Sequence, residues 1–286
     1  EGLTARSPFL TRRRLGTTAY GRPLYLLQMG QGRRRVIYNA SHHANEWITT
    51  PILMKFIEEY ASAVARGGRI YDTDGASLFR RNLLLAVPMV NPDGVDLVTG
   101  AIEEGSLEYE RARQIAAYFP GLPFPEGWKA NLLGVDLNLN YPAGWEQARE
   151  NKYAQGYDRP APRDFVGLAP LDQQESAAMA RLTRESDPAL TLSYHSQGEV
   201  IYWKYLNIEP PGAEEIGRAF ADSSGYLLED TPFASGFAGY KDWFIKFFRR
   251  PGYTVEVGEG TNPLPLSQFD EIYRDNVGIL VTAALG

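Results

Sequence analysis

Histidine is scarce in this chain: of 286 residues, only His42, His43 and His195 are histidines. Two of them fall together in the run SHHANEW, where His43 and Glu46 stand in an H-x-x-E spacing. At a strand-to-helix junction, that spacing lets a ring nitrogen and a carboxylate converge on one point. A catalytic zinc site needs three protein ligands and one open position for water, and two histidines with a glutamate form one of the known sets. The third ligand should come from a distant strand end, and His195 in LSYHSQGE is the histidine left to provide it. By itself the pattern is weak. H-x-x-E recurs by chance, and a lone histidine at a strand end is more often a hydrogen-bonded structural residue. His42 has no carboxylate three residues on, and it reads as packing or as support for a metal ligand.

The elements that must position these residues are legible as alternating runs. LYLLQMG (24–30), RVIYNAS (35–41) and LLLAVPMV (83–90) are β-rich. A helix is predicted from Asn45–Glu46 to the glycine pair Gly67–Gly68, which suits a C-cap. A Pro/Gly-rich irregular region follows Tyr118 and runs to Phe165. Beyond it come a polar helix near Asp172–Arg184, the strand pair ALTLSYH and EVIYW, and a helix from Ala213 to Ser223. A helix near Tyr240–Arg249, the strand GYTVEVG (252–258) and a C-terminal helix from Leu266 complete the chain. This order predicts an α/β fold: a mixed, mainly parallel twisted central sheet with helices on both faces. A site is then expected where strand ends meet loops. No domain break is visible, so residues 1–286 read as a single catalytic domain.

Composition narrows the function classes. With 44% hydrophobic residues the chain can bury a substantial core, and a net charge of -6 argues against a sequence-independent nucleic-acid binder. The arginine clusters Arg12–Arg14 and Arg33–Arg35 read as solvated surface flanking strands. There are no cysteines, which excludes disulfides, thiolate metal sites and a cysteine nucleophile. No apolar run approaches the ~18 residues of a membrane span. The opening EGLTARSPFLTRRR lacks the apolar core of a signal peptide. A chain that begins on Glu1 can be a mature or trimmed product, so the absence of a secretion signal or a further N-terminal module here means little.

Several blocks together resemble a family. SHHANEW resembles the H-A-x-E-W zinc motif of the zinc metallocarboxypeptidases. VNPDGVDL (90–97) resembles their N-P-D-G loop, and GVDLNLNYP (134–142) their G-V-D-x-N-R-N segment. SYHSQGEVIYW resembles the strand of the third ligand, and YTVEVGEG (253–260) the strand of the catalytic glutamate. The blocks keep the family's order, and the resemblance covers residues 15–285. It implies one Zn2+ per chain, held by His43, Glu46 and His195. It implies that Glu256 is the general base, taking a proton from the attacking water and passing it to the leaving amine. Asp136 matches the carboxylate that orients a zinc-bound histidine. Lys129, in GWKAN, matches the arginine that polarises the scissile carbonyl, and a lysine can do so as a point charge.

Departures from the family pattern bear on the substrate. The N-R pair that clamps a C-terminal carboxylate reads Asn138–Leu139 here, and the arginine of H-A-R-E-W is Asn45. For the family's mobile tyrosine, Phe233 falls nearby and Tyr240 lies a few residues on. Lys241, just before Asp242–Trp243, matches the specificity position, where a lysine favours a carboxylate-bearing side chain. Together with Asn138 and Tyr240, it is expected to bind substrate. AGYKDW, GWKAN and GVDLNLNYP resemble the bacterial branch that cleaves γ-D-glutamyl–diamino acid bonds. That branch implies a peptidoglycan stem peptide as partner and a secreted or wall-associated enzyme. The alternatives are a metallocarboxypeptidase that removes acidic C-terminal residues and a non-catalytic wall-binding module. Tyr202, Trp203 and Trp145 can line a groove, although strand aromatics are more often core.

Overall fold

The computed structural model describes Gly2 and residues 7–285. In chain order the strands are β1 Leu10–Thr17, β2 Pro23–Gly30, β3 Arg34–Ala40, β4 Arg69–Ile70 and β5 Thr73–Asp74. They continue with β6 Asn82–Val87, β7 Leu190–His195, β8 Val200–Tyr202, β9 Leu227–Glu229 and β10 Gly252–Glu256. β4 and β5 form a small ribbon of their own, and the other eight make one sheet in the order β1-β2-β6-β3-β7-β10-β8-β9. The central strands β6, β3, β7 and β10 all run parallel, while β1–β2, β2–β6 and β8–β10 are antiparallel. This is the mixed, mainly parallel sheet expected from the sequence.

Strand alternation divides the core between the two faces of this sheet. Val36, Tyr38, Leu192, Tyr194, Tyr253 and Val255 join one apolar cluster. It is covered by the helices Thr49–Arg66, Ala213–Ser224 and Phe269–Leu285, which supply Phe56, Phe220 and Ile279. Leu26, Ile37 and Leu85 join a second cluster with Met179, Leu182 and Trp243, from the helices Gln174–Ser186 and Tyr240–Phe248. Helix Thr49–Arg66 buries Ile52, Leu53, Phe56, Ile57 and Tyr60, which line one helical face. It stops at Gly67, whose left-handed backbone (φ 64) lets its N–H reach Ala63 O. No helix among the described residues is long and apolar enough to cross a membrane.

Two expectations are corrected. The N-P-D-G segment is a helix, Pro92–Val98, and not a loop: Asn91 Oδ1 accepts from Gly94 N, and Pro92 opens the first turn. The region after Tyr118 is not irregular throughout, because it holds the helix Trp145–Ala154. Gly144 enters it with a left-handed φ of 69, and Trp145 Nε1 donates to Val166 O. Its sequence, WEQARENKYA, buries only Trp145 and Ala148, so no apolar periodicity announces it. The edge strand β1, the ribbon β4–β5 and the helices Gly75–Arg81 and Leu107–Ala116 also lie outside the runs expected from sequence.

Candidate active site

Three neighbouring parallel strands deliver the site at their carboxyl ends. Ala40, at the end of β3, pairs with Tyr194, so the turn carrying His42 and His43 emerges beside His195 at the end of β7. Glu256, the last residue of β10, pairs with His195. Ser41 adopts a left-handed φ of 51 where the chain leaves β3, and its N–H donates to Thr49 Oγ1. Thr49 Oγ1 in turn donates to Glu46 O at 2.7 Å. This clasp holds the short 3-10 turn Ala44–Glu46 against the start of the following helix, with Glu46 buried.

The ligand atoms converge. His43 Nδ1 lies 3.0 Å from Glu46 Oε1, His195 Nδ1 lies 2.9 Å from Glu46 Oε2, and the two Nδ1 atoms are 3.2 Å apart. A tetrahedral zinc with nitrogen ligands at 2.0–2.1 Å separates neighbouring ligand atoms by roughly 3.3 Å. His43, Glu46 and His195 therefore present three corners of such a tetrahedron, all three side chains buried, and the donor set fits one metal ion. His43 Nε2 donates to Asp136 Oδ1 at 3.0 Å, which leaves Nδ1 as the lone-pair nitrogen. Burial opposes the charge on Asp136, yet His43 and Lys129 hold its carboxyl below the usual range. His42 stacks behind His195 at 5.8 Å between ring centroids and bonds Tyr141 Oη through Nε2. Burial keeps it neutral, so it supports the ligand rings from the core.

Glu256 and Lys129 flank this centre. Burial, reinforced by the negative charge of Glu46, pushes the Glu256 carboxyl above its usual range. Thr254 and Glu256 line the cleft, while Val255 and Val257 between and beyond them point into the core. Lys129 Nζ lies 2.8 Å from Glu46 Oε1. Burial works against that ammonium, but Glu46 and Asp136 keep it charged above its usual range.

The cleft has two chambers. One, of about 270 Å³, is bordered by Asn138, Leu139, Lys152, Asp164, Thr231, Lys241 and Thr254. The other, of about 530 Å³, is bordered by Asn45, Pro123, Gln197, Thr261 and Asn262. They meet at Lys129, Arg163, Tyr202 and Glu256, which line both. Asn138 faces the smaller chamber, its Oδ1 accepting from Tyr240 N at 3.0 Å. Leu139 packs against the cluster of Trp145, Val166 and Phe237, so an apolar side chain fills the clamp position.

Two expected substrate-binding residues have partners inside the protein, and for Tyr240 the expectation is corrected. Tyr240 is fully buried, with its hydroxyl on Thr183 Oγ1 at 2.8 Å and its ring against Tyr141, so it belongs to the core and not to the cleft. Lys241 borders the smaller chamber, but its ammonium donates to Lys204 O (2.7 Å), Thr231 Oγ1 (3.2 Å) and Asp242 Oδ1 (2.7 Å). An ammonium has three hydrogens, and all three are used inside the protein. Of the aromatics, Tyr202 lines the cleft while Trp203 and Trp145 are buried, and Phe233 is exposed on the turn Phe233–Ser235. Lys152, Arg163 and Asp164 were not anticipated. Arg163–Asp164 sits in a Pro-rich stretch without periodicity, where only the proximity of opposite charges marked it.

A buried His-Glu-His set at parallel strand ends, with a carboxylate and an ammonium beside it, defines a zinc-dependent peptidase. The chain belongs to the zinc carboxypeptidase family, whose model matches residues 1–278. It is 45% identical to gamma-D-glutamyl-L-diamino acid endopeptidase 1 of Lysinibacillus sphaericus over 274 residues, which are 96% of this chain and 67% of that protein. It is 40% identical to the protein YqgT of Bacillus subtilis (strain 168), over 96% of this chain and 71% of that one. Bovine thrombin-activatable fibrinolysis inhibitor, solved in complex with tick carboxypeptidase inhibitor, shares the fold. The TM-score is 0.72 at 16% identity, with 99% of this chain and 92% of that one covered.

The chemistry follows from the positions. His43, Glu46 and His195 would hold a zinc ion, which would supply Lewis acidity toward a carbonyl and a water. Glu256, held at a strand end beside His195, carries a carboxylate that can accept a proton from a water at this centre and pass it on to an amine. Lys129, paired with Glu46, brings a positive charge to the centre that can stabilise a developing oxyanion. The Asp136 hydrogen bond turns the other ring nitrogen of His43 toward Glu46.

Proposed function

We propose that this chain hydrolyses the γ-D-glutamyl–diamino acid bond of bacterial peptidoglycan stem peptides. One observation carries the proposal: the clamp for a C-terminal carboxylate is missing beside an otherwise complete catalytic centre. Leu139 lies in an apolar cluster, Lys241 is spent on internal partners, and the cleft extends to both sides of Glu256. Trimming a C-terminus favours a cation at the closed end of the site. Cutting within a peptide calls instead for room on both sides of the scissile bond. The 45% identity to a γ-D-glutamyl-L-diamino acid endopeptidase supports the same substrate class.

The test compares two substrates with the zinc-loaded enzyme: a γ-D-glutamyl–diaminopimelate stem peptide and an α-linked peptide ending in glutamate. The expected kcat/KM favours the γ-linked bond by about 100-fold or more, the discrimination available to a site that pairs polar substrate groups. A preference for the α-linked peptide overturns the proposal in favour of acidic C-terminal trimming. A wall-peptide substrate goes with a secreted or wall-associated enzyme, which immunodetection in wall and culture fractions checks.

A further inference from the structure

Besides Lys129, the cleft presents three cationic side chains: Lys241, Lys152 and Arg163. They differ in what they have left to offer. Lys241 has spent its three donors and is neutralised by Asp242. Lys152 Nζ donates to Asp164 Oδ1 at 2.5 Å, and its side chain is largely buried. Arg163 donates through Nε to Asp164 Oδ2 at 2.6 Å, and neither of its Nη groups has a hydrogen-bond partner among the described residues. One aspartate thus serves two cations, which leaves this cluster with a net positive charge facing the cleft. The Arg163 side chain is 39% exposed and lies where the two chambers meet beside Glu256.

The cluster is fixed to the catalytic centre through the backbone. Asp164 N donates to Asp136 Oδ2 at 3.2 Å, while Asp136 Oδ1 holds His43. Asp164 adopts a left-handed φ of 67, a conformation that aspartate tolerates better than most residues. A guanidinium steadied through Nε keeps its planar Nη edge free, the edge that pairs with a carboxylate through two parallel hydrogen bonds.

We infer that Arg163, anchored by Asp164 and backed by Lys152, binds a substrate carboxylate that flanks the scissile amide. Resting on the wall-peptide reading for its identity, this group is the free α-carboxylate of the γ-linked glutamyl residue. A γ-linkage leaves that carboxylate three carbons from the scissile carbonyl, within reach of a cation placed at the junction of the chambers. The carboxylate of the leaving diamino acid is the other source of the same chemistry, and the experiment separates the two.

The experiment measures kcat/KM for wild type, Arg163→Gln and Arg163→Lys, with zinc content determined for each. The substrates are the γ-D-glutamyl–diaminopimelate peptide, its glutamyl α-carboxamide and its diaminopimelyl carboxamide. On the free acid, Arg163→Gln is expected to lose roughly 10- to 100-fold, the range for charge-assisted hydrogen bonds, with zinc retained. Wild type should lose a similar factor on the glutamyl carboxamide, where the two enzymes converge, and Arg163→Lys should recover part of the loss. Equal losses for Arg163→Gln on all three substrates would mean a structural role and overturn the inference. Convergence on the diaminopimelyl carboxamide instead overturns the glutamyl assignment. If wild type cleaves only α-linked peptides, the wall-peptide reading fails on its own. Arg163 is then judged by the same comparison between a C-terminal acid and its amide, and absence of convergence there rejects it.

Discussion

His43, Glu46, His195 and Glu256 stand at or just beyond the ends of three parallel strands, whereas Asn138, Lys152, Arg163 and Lys241 stand on turns and helices around the cleft. In the first group, the ligand atoms of His43, Glu46 and His195 face one another across about 3 Å, the arrangement that a bound cation would satisfy. In the second group the charges are already paired: Lys241 with Asp242, and Lys152 and Arg163 with Asp164. Charge type therefore identifies the catalytic centre but not the substrate-reading wall. On the wall, the deciding quantity is the number of donors a cation has left after its internal partners are counted.

Three substitutions probe that contrast. Glu256→Gln should cost the most, roughly 10²–10⁴-fold in kcat/KM with zinc stoichiometry unchanged, because it removes the proton carrier and none of the ligands. Substantial remaining turnover would place the proton carrier elsewhere. Lys241→Met should act on stability and not on substrate choice. It leaves Asp242 buried without its cation, at a cost of about 3–5 kcal/mol in denaturant unfolding. A normal unfolding midpoint with altered preference for carboxylate-bearing substrates would return Lys241 to the substrate-reading group. Asp136→Asn touches both regions, since Asp136 holds His43 with one oxygen and the Asp164 backbone with the other. It should weaken zinc affinity by about 10- to 100-fold, measured by competition with a chelator. An unchanged affinity would show that the His43 ring is oriented without it.

Much of the fold was legible because its strands and main helices carry strong apolar patterns. The all-buried β7 and the apolar face of helix Thr49–Arg66 are examples. Helix Trp145–Ala154 was not, because it buries two residues and is held instead by a Trp145 hydrogen bond to Val166, twenty-one positions on. The site divides the same way. H-x-x-E and a third histidine at a strand end are local, type-specific signals. Tyr240 and Lys241 carried the residue types of a substrate-binding pair, but Tyr240 is turned into the core, and Lys241 is consumed by Thr231, Asp242 and the Lys204 carbonyl.

Sequence alone pointed to the metal chemistry of this protein, because blocks in the order of the zinc metallocarboxypeptidases reinforced a pattern that is weak by itself. Three histidines and no cysteine fit the His-Glu-His set that this resemblance implies. Tertiary structure alone decided how that chemistry is surrounded. The parallel register of β7 and β10 puts Glu256 beside His195, sixty-one residues earlier in the chain. A fold across unpatterned loops brings Arg163 to the same cleft. The physical reason is that coordination depends on which atoms a side chain carries, whereas reading a substrate depends on which of those atoms the rest of the fold has left unpaired.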